Sequence, residues 1–546
     1  MRRRLLLAAA LALPALVFAQ GALTPPGAPA PTMKTLDQLE ARTPLGVVGT
    51  NTSTLTISQP GSYVLMGNVT VASGNGIVIT AAAQNVTLDL NGFTVSSTAS
   101  PANGTGIYLS TGSNFTIRNG HLRGGVMQDN GATFTAYGFI NGIDAVSIHN
   151  VRVEQVSVEG VAGYGISLHN GDGIISSCSA RYCGTTGLRA NQVLDSIALK
   201  CGDTAIHAGT APDVNGIPVA NGTAVNCTGE SLAGGRGIFA TTATNCYGTS
   251  ASGPGIEAKI VTSSSGQSTS GNGIQCDTAT DSVGTSSAAL GLNALTATNC
   301  SGVSTSATGL IAGSATNCRG SSSGYGYGLQ AVSATNCQGV SASGSFGLYA
   351  THTAENCRGS ITSTSMTYAK GLRAWIATNC YGQIGTASGE SSIGLSAVNA
   401  TNCYGEISNS DRFGCGLSAD QATGCSGSIA PAEGVTLVTG LQANTANNCR
   451  GFASTYGYGL SATVASNCIG STNAGTGIYA QNATNCSGST TNGTYGLQIL
   501  GTASFCRGEN YGGATAVALK AAVAIGCTVD RGVTEVPAGM KFFGTP

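Results

Sequence analysis

The sequence predicts an all-β, single-domain, right-handed parallel β-helix (a solenoid) with an N-terminal capping helix. Three observations carry this: a cysteine-marked repeat, a rigid half within each repeat, and a period-two alternation of inward and outward residues. The unit is plain in Gly291–Gly302, which reads Gly-Leu-Asn-Ala-Leu-Thr-Ala-Thr-Asn-Cys-Ser-Gly. Aligned on its cysteine, it recurs from Cys227 through Cys300, Cys337, Cys380 and Cys425 to Cys527. Ser264 and Ser282 stand in the cysteine frame between Cys246 and Cys300, so the repeat is unbroken over 227–527.

The spacing inside the unit is unequal. From the Leu or Ile of Gly-[Leu/Ile]-x-Ala to the cysteine position it is 8 residues in almost every copy, as in Leu292/Cys300 and Leu417/Cys425. From the cysteine to the next Leu it runs from 10 residues (Cys300 to Leu310) to 16 (Cys425 to Leu441). Such repeats stack as a solenoid whose insertions all leave on one side. Several glycines per unit and the lack of an apolar period of 3.6 exclude helical repeats. In Gly-Leu-x-Ala the Leu and Ala recur, whereas x is Arg189, Phe239, Tyr349, Arg373 or Tyr479, so Leu and Ala point inward and x outward. The residue after each cysteine is equally free, which puts the cysteine inside. Two short strands per rung with tight Gly/Asn corners follow, and no hexapeptide pattern of the left-handed kind occurs.

The chain before the repeats divides into four stretches. Residues 1–19 carry three arginines, an apolar run from Leu5 to Phe18 and a small-residue site at Val17–Ala19, which is the form of a secretory signal peptide of a bacterial exporter. Residues 20–32 are a Pro-rich spacer. Residues 33–43 read as a short capping helix with Leu36 and Leu39 on one face, covering the open end of the core. Strand-like segments begin at Thr54, and 44–546 is assigned to the β-helix. About 24 coils at ~4.8 Å per coil give a rod ~110 Å long, each rung burying a Leu or Ile worth about 1.5–3 kcal/mol.

Segments 61–70, 85–94 and 115–124 (Gly-Ser-Tyr-Val-Leu-Met-Gly-Asn-Val-Thr, Asn-Val-Thr-Leu-Asp-Leu-Asn-Gly-Phe-Thr, Phe-Thr-Ile-Arg-Asn-Gly-His-Leu-Arg-Gly) resemble the opening of bacterial secreted right-handed parallel β-helix proteins of the pectate-lyase-like superfamily. The resemblance covers about residues 34 to 210 by motif and the rest by architecture. It implies the fold but no single activity, because the superfamily holds lyases, hydrolases, epimerases, adhesins and members without a reaction. The Gly-His-Gly of polygalacturonases is not met, since Gly120-His121 is followed by Leu122.

Of the nineteen cysteines, those on the inward ladder sit about one coil spacing apart, yet parallel side chains must twist to reach a disulfide dihedral. Reduced thiols acting as small core hydrophobes are the preferred reading, pairwise disulfides the alternative, and no Cys-x-x-Cys or His cluster points to a metal. Cys276 falls at an inward Ala position, and Cys415 is expected to be exposed.

A net charge of −1 with 9% charged residues leaves no electrostatic footprint for nucleic acid or an anionic membrane. No membrane span is expected, and the protein is read as a monomer, secreted or extracellular. Carboxylates are scattered in the Cys-ladder half. The earlier coils are richer, and Asp144, Asp172, Asp195 and Asp203 are the candidates should the chain be catalytic. The main expectation is nevertheless a non-catalytic rod binding a polysaccharide or cell-surface glycan through outward Arg189, Tyr349, Arg373 and Tyr479, or a structural role. The alternative is a polysaccharide lyase or glycoside hydrolase with its site on the N-terminal coils. No cofactor is expected, with Ca²⁺ entering only under that alternative.

Overall fold

Alternating inward residues and left-handed corners build the chain into a parallel β-solenoid of the right-handed type with about 23 turns, all of it strand and turn among the described residues. A computed structural model describes residues 42–126, 134–145, 148–168, 172–209, 222–410, 413–431, 438–513, 515–537 and 540–542. The expected capping helix over 33–43 lies outside these except for Arg42 and Thr43, and the first strand is Thr43–Asn51.

Each turn contributes to three parallel ladders. In the Cys-ladder half the first two are segments of one strand, such as Leu292–Thr298, and the third is a separate strand, such as Ser301–Ser304. In earlier turns the first strand is split, as in Leu188–Ala190 and Gln192–Leu194, followed by Ile197–Cys201. The expectation of two strands per rung therefore holds only for the repeats. Registers are strict: Leu292 pairs with Leu310, and Leu310 with Leu329. Leu, Ala and Cys of every rung are buried in one continuous core, as the alternation predicts. Ile361, Ile384, Ile407, Ile429 and Val438 add a second, smaller core where the connections are longest.

The corner before each cysteine is left-handed, with Asn317 at φ 54°, Asn336 at 54° and Asn356 at 52°. Asparagine tolerates this conformation because its short amide bonds locally. Here the amides also bond one another from turn to turn: Asn317 Nδ2 donates to Asn299 Oδ1 (3.1 Å), and Asn336 Nδ2 to Asn317 Oδ1 (3.1 Å). The cysteines line the inside of that corner. Cys318 Sγ lies 3.2 Å from the Thr316 carbonyl and 3.4 Å from that of Ala297, while Cys337 Sγ accepts the Cys318 N–H at 3.4 Å. Ser264 takes the same place, donating to the Thr262 carbonyl (2.7 Å) and accepting from Cys246 N–H (3.0 Å). A small donor–acceptor is what the corner requires, and this explains the exchange of Ser for Cys. Buried Ser286 and Ser304 do likewise after the third strand, with Ser304 Oγ donating to Ala289 O at 2.7 Å.

All nineteen cysteines are free thiols, and all but Cys276 are buried. Cys415 corrects the expectation of exposure. It is 7% exposed, and its thiol bonds the Leu417 carbonyl at 2.9 Å, between Ile393 and Thr439 on the adjacent turns. Burial pushes the Cys415 thiol up to about 12. Between pH 9 and 12 the unfolded chain therefore loses this proton while the native chain keeps it, and stability falls as pH rises, by up to about 1.4 kcal/mol per pH unit for each such group. Melting temperature is expected to drop between pH 8 and pH 10.5. In the same preparation, a thiol reagent at pH 8 should modify Cys276 first and leave the buried set untouched. Nineteen equivalents are expected in denaturant without reductant, and a shortfall in pairs would show disulfides instead.

Candidate functional site

The residue after each Gly-[Leu/Ile] points outward, so strand register alone stacks these side chains into a column along the first ladder. In the N-terminal turns the pairs Tyr108/Asp144, Asp144/Ser167, Ser167/Arg189, Arg189/His207, His207/Phe239 and Phe239/Glu257 follow one another. A carboxylate, a hydroxyl, a guanidinium and an imidazole thus occupy four successive turns. Asn141, two residues before Ile143, flanks the column and donates from Nδ2 to Asp144 Oδ2 at 3.1 Å, while its Oδ1 accepts the Tyr164 N–H at 3.0 Å.

This stretch is more enclosed than an ordinary outward face. Ser167 is 0% exposed, and Asp144, Arg189 and His207 are half-buried. Ser167 Oγ and Arg189 Nε are buried with no hydrogen-bond partner among the described residues. Buried polar groups are nearly always bonded, so these two donors stand out among the described residues. Phe239 closes the downstream end at 1% exposure, edge-on to His207 with centroids 5.0 Å apart. The Arg236 guanidinium lies 4.6 Å over the Phe239 ring and is fixed by Glu257, Nε to Oε2 at 2.6 Å.

Of the four aspartates read from the sequence, only Asp144 belongs to this column. Asp172 is exposed at a corner, 3.8 Å from His149 Nδ1. Asp195 occupies a left-handed corner (φ 48°) and accepts from Asn226 Nδ2 at 2.8 Å. Asp203 is exposed in the turn before strand Ile206–Ala208. All three serve turns, the structural use for which aspartate is favoured there. Arg189, Tyr349, Arg373 and Tyr479 all lie on the same outward column as Asp144; Tyr349 and Arg373 are in register on adjacent turns, with Arg189 and Tyr479 far from them along it. Ser167, Asn141 and the Arg236–Phe239 plug escaped the sequence reading. Extending the Gly-[Leu/Ile] frame back through Ile238, Ile206, Leu188, Ile166 and Ile143 would have found them.

Elsewhere, cavities of about 580 Å³ (Gln498, Lys520, Glu535) and 570 Å³ (Arg123, Glu159, Tyr182) lie at the C-terminal turns and on the third ladder. One of about 470 Å³ follows Glu257 on the first ladder. On the third ladder Tyr381 stacks on Tyr404 at 5.3 Å, with Arg358 over the ring and bonded to Gln383 Oε1 at 3.2 Å, while the Tyr381 hydroxyl donates to Glu406 at 2.7 Å. Among the described residues no group of three or more His, Cys, Asp or Glu side chains is placed to hold a metal ion.

No protein-family model matches the chain, and no curated protein does. Among solved structures, the chain is similar in fold to the catalytic domain of GH87 alpha-1,3-glucanase in complex with nigerose, in both its unsubstituted and a substituted form. Identity is 12% and the TM-score 0.24, over 74% of this chain and 59% of the glucanase chain, so this chain spans less than two thirds of that one. The structures found are catalytic domains in complex with nigerose, which runs against the expectation of a non-catalytic rod. The likeness itself is one of fold, and catalysis must be argued from this chain's own residues.

Proposed function

We propose that the protein is a glycan-cleaving enzyme, a glycoside hydrolase or polysaccharide lyase, acting on the outward column of its N-terminal turns. The observation that carries this is the run Asp144, Ser167, Arg189, His207 on four successive turns, with Ser167 Oγ and Arg189 Nε buried and unbonded among the described residues. Asp144 and Arg189 are two turns apart, about 9.6 Å between backbones. A glycosidic oxygen lying over Ser167 is within reach of both. In hydrolysis Asp144, protonated, gives its proton to the glycosidic oxygen while water adds to the anomeric carbon and releases a proton to solvent. In elimination Asp144, ionised, takes the proton α to a uronate carboxyl, Arg189 neutralises the enolate charge, and the glycosidic oxygen leaves with a solvent proton. Half-buried His207 contacts the neighbouring sugar. The apolar leader over 1–19 supports export to where such polymers are met.

The test is incubation of the full chain with acidic and neutral polysaccharides, with and without Ca²⁺. New reducing ends support the reading, and absorbance from unsaturated products separates elimination from hydrolysis. Silence over the whole panel would overturn it.

A further inference from the structure

We propose that Tyr327, Phe346, Tyr349, Lys370 and Arg373 form a second glycan site, selective for an acidic polysaccharide and lying on the same face as the cleavage column. The identification of the ligand as a glycan rests on the proposed function; the selectivity for negative charge rests on the cluster itself. Tyr349 is reached from His207 in seven register steps through Phe239, Glu257, Gln275, Asn293, Ile311 and Gln330. At ~4.8 Å per step the two sites are ~34 Å apart along one straight face. Between them, outward Gln275 and Asn293 line the cavity of about 470 Å³ that begins at Glu257. A polymer lying along the column from the cleavage site thus meets sugar-compatible amides before it meets the cluster.

In the cluster, the Phe346 and Tyr349 rings stack at 4.9 Å with 22° between planes, and Tyr327 stands edge-on to both at 4.9 and 6.1 Å. This rigid aromatic wall carries two cations on the next turn: Lys370 pairs in register with Phe346, and Arg373 with Tyr349. The Arg373 guanidinium sits 5.5 Å over the Tyr349 ring. Lys370 is half-buried, and its ammonium is held below the ordinary lysine range by that burial and then by Arg373. The residues facing the pair from the turn before are Phe346 and Tyr349, with Tyr327 and Gln330 one turn further back; those from the turn after are Ile393 and Ser396. None is acidic, and neither cation makes an ion pair among the described residues. Two other cations lying over aromatic rings do have one: Arg236 over Phe239 pairs with Glu257, and Lys520 over Tyr495 with Glu535. Two like charges side by side on an apolar wall repel unless an anion joins them. Arg373, exposed, presents its N–H fork for a carboxylate or sulfate, and Lys370 a point charge beside it. A polymer bearing such groups at regular intervals fits both.

The experiment is affinity electrophoresis of the full chain in gels holding a polyuronate, a sulfated glycan or a neutral glucan. Retardation is expected with one of the acidic polymers and not with the glucan, and the polymer that retards identifies carboxylate or sulfate as the group bound. K370Q/R373Q, checked by its thermal melt to be folded, should lower affinity by roughly 10- to 100-fold. R450Q on the third ladder should bind as the parent does. Equal retardation by the glucan, or parent-like affinity in K370Q/R373Q, would overturn the site. The two readings fail separately. Loss of binding in K370Q/R373Q without any cleavage by the parent leaves the site and removes the enzyme. Cleavage that is blind to K370Q/R373Q on long acidic polymers does the reverse.

Discussion

Asp144→Asn is expected to lower kcat/KM for glycan cleavage by roughly 10²- to 10⁴-fold, the range by which one positioned proton-transfer group contributes. The substitution removes the titratable proton and little else. Asparagine has the same shape, and its Oδ can still accept from Asn141 Nδ2, the 3.1 Å bond that now orients the carboxylate. Fold and glycan retention should therefore be unchanged, which makes the loss chemical. Asp172→Asn and Asp203→Asn provide the contrast. Both carboxylates are exposed at corners away from the column, and activity should stay within about two-fold of the parent, the latitude of a surface substitution. Initial rates of reducing-end release for the three variants decide the matter. An active Asp144→Asn beside an inactive Asp172→Asn would move the chemistry off the first ladder.

Gly309→Val should have the largest effect on folding. Two glycine columns, that of Gly-Leu and that of Cys-x-Gly, close against each other across the narrow lumen. A Cβ at Gly309 would fall under 3.0 Å from the backbone N and O of Ser321 and the carbonyl of Gly302. At Gly302 it would meet the carbonyl of Gly309. These are ladder atoms with no freedom to retreat, so the turn must open and its neighbours lose their register. A loss beyond about 4–5 kcal/mol is expected, the exceptional class of single substitutions. It would be read as a lower guanidinium midpoint and new proteolytic cleavage between about residues 290 and 330. Gly234→Ala, where a Cβ meets nothing within 4 Å, should be nearly silent. A Gly309→Val protein with the parent's midpoint would mean that the glycine columns do not close the lumen.

The contrast between these two residues shows what could be read from the chain. Leu292, Ala294 and Cys300 announce a solenoid because burial imposes one residue type at one spacing, and the structure buries all three. Outward positions obey no such constraint, so Asp144 could be suspected but not distinguished from Asp172 or Asp203. Only register, which joins residues 23 positions apart such as Asp144 and Ser167, separates a column from a corner. Ser167 was invisible because a serine in a chain rich in serine carries no signal until its burial is known. Cys415 misled for a related reason. It occupies a position that is Tyr458 in another rung, and no periodicity shows that its thiol turns back onto the Leu417 carbonyl two residues on.

Because each strand bonds only to the turn before and the turn after, the distance between the cleavage column and the Tyr349 cluster is counted in whole turns. Ile256, Ile274, Leu292 and Leu310 follow at intervals of 18 residues, so excising or duplicating one interval leaves every remaining register intact. The rod is in this sense a ruler graduated at ~4.8 Å. A chain that gained or lost one graduation would shift the spacing between the Asp144 column and the Tyr349 cluster by ~4.8 Å without altering either set of side chains.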